Sequence, residues 1–131
     1  MTYAARTKVS ISKTKADIEA ILAKYGAKKF AYYSETFRAT VVFEAAERRV
    51  RFDLLLPEGE QKQRERWRAL LLCIKAKLES VASKIETFEE AFLPHVVLPD
   101  GATVGESLIP QIASAYKGGS LPSLLPPGRR A

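Results

Sequence analysis

The stretch RATVVFEAAERRVRFDLLL, residues 38–56, decides the fold. From Arg38 to Glu44, Ala39, Val41 and Phe43 fall on one face, and Arg38, Thr40, Val42 and Glu44 on the other. From Arg48 to Leu56, Val50, Phe52 and Leu54 point inward while Arg49, Arg51 and Asp53 point outward. Period-two alternation marks a strand with one buried face. The short link Ala45, Ala46, Glu47 suits a hairpin between the two.

On the N-terminal side, the aromatic-rich run Lys29 to Ser34 predicts a further strand. Thr7 to Ile11 also alternates, with Val9 and Ile11 on one face, and predicts a short half-buried strand. Between them, Thr14 and Asp17 resemble a capping box with Asp in place of Glu. Ile18, Ile21, Leu22 and Tyr25 then form one apolar helical stripe, and Gly26 is placed to end it in a left-handed conformation.

On the C-terminal side, Pro57 and Gly59 close the sheet region. Trp67, Leu71, Ile74, Leu78, Val81 and Ile85 step by four and three, predicting a long helix over Gln61 to Ile85. Thr87 to Leu93 reads as a short helix and His95 to Leu98 as an extended segment. Thr103 to Tyr116 reads as a helix that Pro110 should kink or break. The expected fold is therefore α+β. It has a mainly antiparallel sheet of about four strands in the order β-α-β-β-β-α, a long amphipathic helix packed on it, and a C-terminal helical or irregular extension. Residues 1–117 form a single domain. The Gly/Pro/Leu-rich tail 118–131 either packs through Leu121, Leu124 and Leu125 or offers them to a partner.

The 131 residues suffice for one core without disulfide or metal. The single cysteine, Cys73, rules out an internal disulfide and a four-cysteine zinc site. Its apolar neighbours argue for a buried structural thiol. The start of the chain lacks the apolar run of a signal peptide, and no stretch reaches the roughly 20 apolar residues of a membrane span. The cytoplasm is the expected location, with no membrane partner. Charge is unevenly spread: residues 1–84 carry 18 Lys/Arg against 10 Asp/Glu, and residues 85–131 carry 3 against 5. A basic domain favours polyanions, nucleic acid or an acidic protein surface, although a positive balance also serves solubility alone.

Two stretches, residues 64–79 (RERWRALLLCIKAKLE) and 98–112 (LPDGATVGESLIPQI), together with residues 24–27 (KYGA), resemble a group of small uncharacterised phage and prophage proteins. The likeness covers most of the chain. It implies a viral accessory setting, in genome handling or interference with host defence, and carries no catalytic residue with it.

The first candidate site is a basic sheet face. Lys8, Arg38, Thr40, Arg49 and Arg51 point away from the helix-covered side, and Tyr33 joins them. Phosphates need a track of cations, and unpaired bases need flat π-surfaces. The plain alternative is a solvated face whose cations suppress edge pairing. The second candidate is the cluster Lys62, Arg64, Arg66 and Arg68 on the first turns of the long helix. Cations there oppose the helix dipole, so they have no local stabilising reason, although Glu58, Glu60 and Glu65 partly compensate. Trp67 beside them belongs to the apolar stripe and is core. His95, the only histidine, lacks metal-ligand spacing. A pairing with Glu89 or Glu90 has no motif behind it. Glu44 and Asp53, on neighbouring strands, are the only hint of two-metal nuclease chemistry. GxGxxG, GxxxxGK[ST] and GxSxG are all missing, so the sequence points to no cofactor and no catalytic residue.

Two function classes stay open. One is a non-catalytic nucleic-acid binder, favouring single strands and contacting phosphates through Lys8, Arg38, Arg49, Arg51, Arg64, Arg66 and Arg68 with Tyr33. The other is a protein-interaction module, an inhibitor of a host enzyme or a homo-oligomeric assembly subunit. Binding of a small anionic nucleotide is a third, weaker class.

Overall fold

The computed structural model describes residues 7–118. The order of elements is α1 (Ile11–Lys24), β1 (Lys28–Ser34), β2 (Arg38–Ala45), β3 (Arg48–Leu55), α2 (Glu60–Ala82), α3 (Phe88–Phe92), a 3-10 turn (Leu93–His95) and α4 (Val104–Tyr116). The strands form an antiparallel meander, β1-β2-β3. The fold is α+β as expected, but with three strands, not four. The Thr7–Ile11 strand does not form. Ser10 caps α1 instead, its hydroxyl accepting from the Lys13 amide, and Ile11 is the first helical residue. The cap satisfies one orphan amide of the first turn. Thr14, the expected cap, lies one turn inside the helix and is buried, its own amide donating to the Ser10 carbonyl at 3.0 Å.

The two-faced pattern of β2 and β3 holds residue by residue. Ala39, Val41, Phe43, Val50, Phe52 and Leu54 are buried. They meet Ile18 and Leu22 of α1 and Trp67, Leu70, Leu71, Ile74 and Leu78 of α2 in one core. Apolar burial stabilises at about 25 cal/mol per Å². Arg68 ties the two helices at the surface, donating to Asp17 at 2.9 Å. Gly26, at φ 87, reverses the chain after α1.

Two residues of the α2 reading are corrected. The helix stops at Ala82, three residues short of Ile85, which is 77% exposed. The stop is a left-handed Lys84, φ 60, with Ile85 donating back to the Ser80 carbonyl. Cys73 is exposed, not buried. Successive helical residues turn by about 100°, so its apolar sequence neighbours look the other way. Tyr25, expected on the α1 stripe, is the C-cap residue and 43% exposed.

The C-terminal part is built onto the edge of β3. Val96 bridges to Val50, and the Val97 amide donates to the Arg49 carbonyl at 2.8 Å. Thr87 and Thr103 each head a complete capping box, with Glu90 and Glu106 as partners. Pro110 does not break α4. It sits in the helix interior, and the carbonyl that loses its partner belongs to exposed Glu106. Gly105 allows α4 to close on the 3-10 turn, since a Cβ there would stand 2.9 Å from the Pro94 carbonyl oxygen. The tail beyond Gly118, with Leu121, Leu124 and Leu125, lies outside the described residues.

The β2–β3 hairpin turns on Ala46 and Glu47, both left-handed at φ 50 and φ 60. This is the geometry that Asn-Gly favours, and it costs side-chain-bearing residues about 1–2 kcal/mol each. Glu47→Gly should therefore stabilise the protein by about 0.5–1 kcal/mol after the entropy gained by the unfolded chain. A raised urea midpoint at unchanged slope is the readout.

Candidate functional site

The helices cover one face of the sheet and leave the other open, so the outward residues of the three strands form a surface. Cross-strand pairing orders it. Arg38 stands opposite Leu55, Thr40 opposite both Tyr33 and Asp53, Val42 opposite Ala31 and Arg51, and Glu44 opposite Arg49. The expected face therefore exists, but its cations are in different states.

Arg51 is committed to the fold. It is only 21% exposed and gives Nε to Asp53 at 3.0 Å, one terminal nitrogen to the Gly101 carbonyl at 2.8 Å and the other to Glu106. It clamps the loop before α4 to the sheet. These carboxylates hold its guanidinium above the ordinary value against the cost of burial. Arg49 is exposed and shares Glu44 with Lys29, at 3.3 Å and 3.8 Å. A shallow trough of about 460 Å³ lies between Lys29, Val42, Arg49 and Gly101.

The helix cluster divides the same way. Arg64 is held by Glu60 and Gln61, and Arg68 by Asp17. Glu60 thus offsets Arg64 from within the helix, and Asp17 offsets Arg68 from α1. Arg66 is exposed and reaches across to the Leu55 carbonyl at 3.2 Å, which places it at the same end of the sheet as Arg38. Lys8, expected on the sheet face, lies instead in the segment before α1, because the Thr7–Ile11 strand does not form; it and Lys62 are exposed, and Gln61 donates to the neighbouring Thr7 carbonyl at 2.7 Å. Among the described residues, the side chains of Arg38, Lys8 and Lys62 form no ion pair.

That end of the sheet also carries apolar groups that the fold leaves outside: Tyr33 is 62%, Phe37 55% and Leu55 66% exposed. Phe37 sits in the two-residue β1–β2 turn, pinned by the Leu56 amide on its carbonyl at 2.9 Å. Tyr33 is a diagonal neighbour of Arg38, a separation of about 7–8 Å. Thus Tyr33, Arg38 and Leu55 share the open face at this end, while exposed Phe37 lies in the turn opposite buried Leu56 and Arg66 reaches the end of β3 from α2. Phe37 and Leu55 were missed in the sequence. Phe37 falls in a turn, whereas Leu55 continues the outward series Arg49, Arg51, Asp53, a signal present in the alternation of β3.

The nuclease pair does not form. Asp53 accepts from Thr40 and Arg51, whereas Glu44 lies four residues further along β2 than Thr40, about 13 Å away. Among the described residues no group of three or more His, Cys, Asp or Glu side chains could hold a metal ion. His95 has neither glutamate. Glu89 pairs with Arg48 at 2.6 Å and Glu90 completes the Thr87 capping box. Instead His95 stacks on Phe52, centroids 4.1 Å apart, at the rim of a groove of about 370 Å³ between β3 and α4.

Burial, and next the nearby Lys77 ammonium, push the His95 imidazole below its ordinary value of 6.5, while the Arg51 backbone and Asp53 pull the other way. The folded state thus resists a proton that the unfolded state accepts. Stability from this group is present above pH 6.5 and is lost as pH falls below it. His95→Gln should flatten stability between about pH 6.5 and 5, above the range where carboxylates titrate. Urea melts across that window check it.

No protein-family model, no curated protein and no solved structure matches this chain. Among the described residues, no helix is long and apolar enough to cross a membrane.

Proposed function

We propose that this protein binds single-stranded nucleic acid without catalysis, through the end of the open sheet face built from Tyr33, Phe37, Arg38, Leu55 and Arg66, with Lys8 and Lys62 alongside. One observation carries the reading: exposed aromatic rings beside cations that no acidic group neutralises. Unpaired bases stack on such rings, and their phosphates bind such cations. A splayed single strand can lie across this face, with its bases on the rings and its phosphates on the cations. Arg49 and Lys29, at the far end, extend the cationic track. Arg51, Arg64 and Arg68 hold the scaffold. The resemblance of residues 64–79 and 98–112 to small phage and prophage proteins supports a viral accessory setting for this binding.

The protein-interaction reading has its own observation. Ile109, Ile112 and Tyr116 form an exposed apolar stripe on α4. One experiment separates the two. The protein is titrated into labelled single-stranded DNA, duplex DNA and RNA at two salt concentrations, followed by anisotropy. Micromolar affinity for single strands that falls steeply with salt supports the proposal. No binding at low salt sinks it and turns the search to a protein docked on α4.

A further inference from the structure

We infer that two copies of this chain join through the open edge of β1 to make a six-stranded sheet. β1 is paired on one side only, with β2. Its ladder runs to the turn, where the Glu35 amide donates to the Arg38 carbonyl at 2.7 Å. Antiparallel ladders alternate between bonded and unbonded pairs. Glu35, Tyr33 and Ala31 therefore give their backbone groups to β2, and Tyr32 and Ser34 turn theirs outward. Among the described residues, nothing else in the backbone meets them.

The order of charge along the edge selects the occupant. Lys28 and Lys29 stand at one end and Glu35 just beyond the other. An antiparallel self-pairing about Tyr32 brings Lys29 of each copy to Glu35 of the other, drawing the Lys29 ammonium from its own Glu44 at 3.8 Å and competing with the Tyr33 hydroxyl that donates to Glu35 at 3.3 Å. It also sets Ala31 beside Tyr33 on the open face and Phe30 beside Ser34 on the inner one, so both copies keep their buried and exposed sides in register. A parallel pairing would stack lysine on lysine. The left-handed Lys29, φ 56, and the bulge between Lys28 and Ala31 end the free ladder at that point. The seam is therefore confined to Phe30–Ser34, flanked by the ion pairs. A seam this short makes a weak, concentration-dependent dimer. The inference stands apart from the nucleic-acid reading. If both hold, the two aromatic clusters face the same side of one continuous sheet.

Sedimentation equilibrium of the full chain under reducing conditions, with no nucleic acid present, tests it. The expected result is a monomer–dimer equilibrium. Glu35→Lys should raise Kd at least about tenfold, because two attractive pairs become repulsive. The double swap Lys29→Glu with Glu35→Lys should restore it, and circular dichroism should show all three proteins equally folded. A monomer throughout overturns the inference. So does a dimer indifferent to Glu35→Lys, or a double swap that fails to rescue.

Discussion

Phe92→Ala is expected to destabilise the protein by about 3–5 kcal/mol, the usual cost of emptying a buried phenylalanine site. Phe92 is fully buried, although it belongs to a five-residue helix outside the sheet and the two long helices. Its ring meets Phe43 edge-on at 5.9 Å and Phe52 at 6.3 Å, and stacks on Phe88 at 4.6 Å. Three elements thus converge on one side chain, and alanine leaves a cavity that none of them can close alone. Domains of this size have only about 5–15 kcal/mol in all. The urea midpoint should drop sharply at unchanged slope. Ile85→Ala is the control. At 77% exposure it should shift stability by no more than about 0.5 kcal/mol, although the helical periodicity puts it in the core. A loss below about 1 kcal/mol for Phe92→Ala would mean that α3 is not part of the cooperative core.

The second large effect is on binding. Arg38→Glu with Arg66→Glu should weaken single-strand affinity about a hundredfold or more and flatten its salt dependence. Two phosphate contacts are lost and two repulsions added. Stability should move little, because both side chains are exposed and neither is paired with a carboxylate among the described residues. Tyr33→Ala and Phe37→Ala should each cost about 1–3 kcal/mol of binding per lost base stack while leaving the salt slope unchanged. The two classes of variant thus separate charge from stacking. If neither moves the affinity, the binding surface lies elsewhere. Arg51→Glu would not serve here. It would bring a third carboxylate against Asp53 and Glu106 and undo the α4 clamp, losing fold and binding together.

Where the pattern was dense, the sequence was readable. The faces of β2 and β3, the stripe from Trp67 to Leu78 and the Gly26 stop all have a local physical cause, and all appear in place. Five alternating residues, Thr7 to Ile11, were too few to separate a strand from a helix entry, and the Ser10 cap decided it. The basic face was legible as a list of cations but not as a state of charge. Arg51 is neutralised by Glu106, 55 residues away, and Arg68 by Asp17, 51 residues away. No local window contains such pairs. The β3 alternation already turned Leu55 outward, but its place opposite Arg38 became visible only with the hairpin register.

Cys73 is the only thiol in the chain, and it stands exposed midway along α2, the helix whose other side packs beneath the sheet. A maleimide dye, a spin label or a bead tether therefore attaches at a single defined point, behind the molecule as seen from the open sheet face. The native protein can be labelled there without new mutations and without obstructing Tyr33, Arg38 or the edge of β1. The same thiol will link molecules back to back when reductant runs out, giving covalent pairs on a non-reducing gel that have nothing to do with strand pairing.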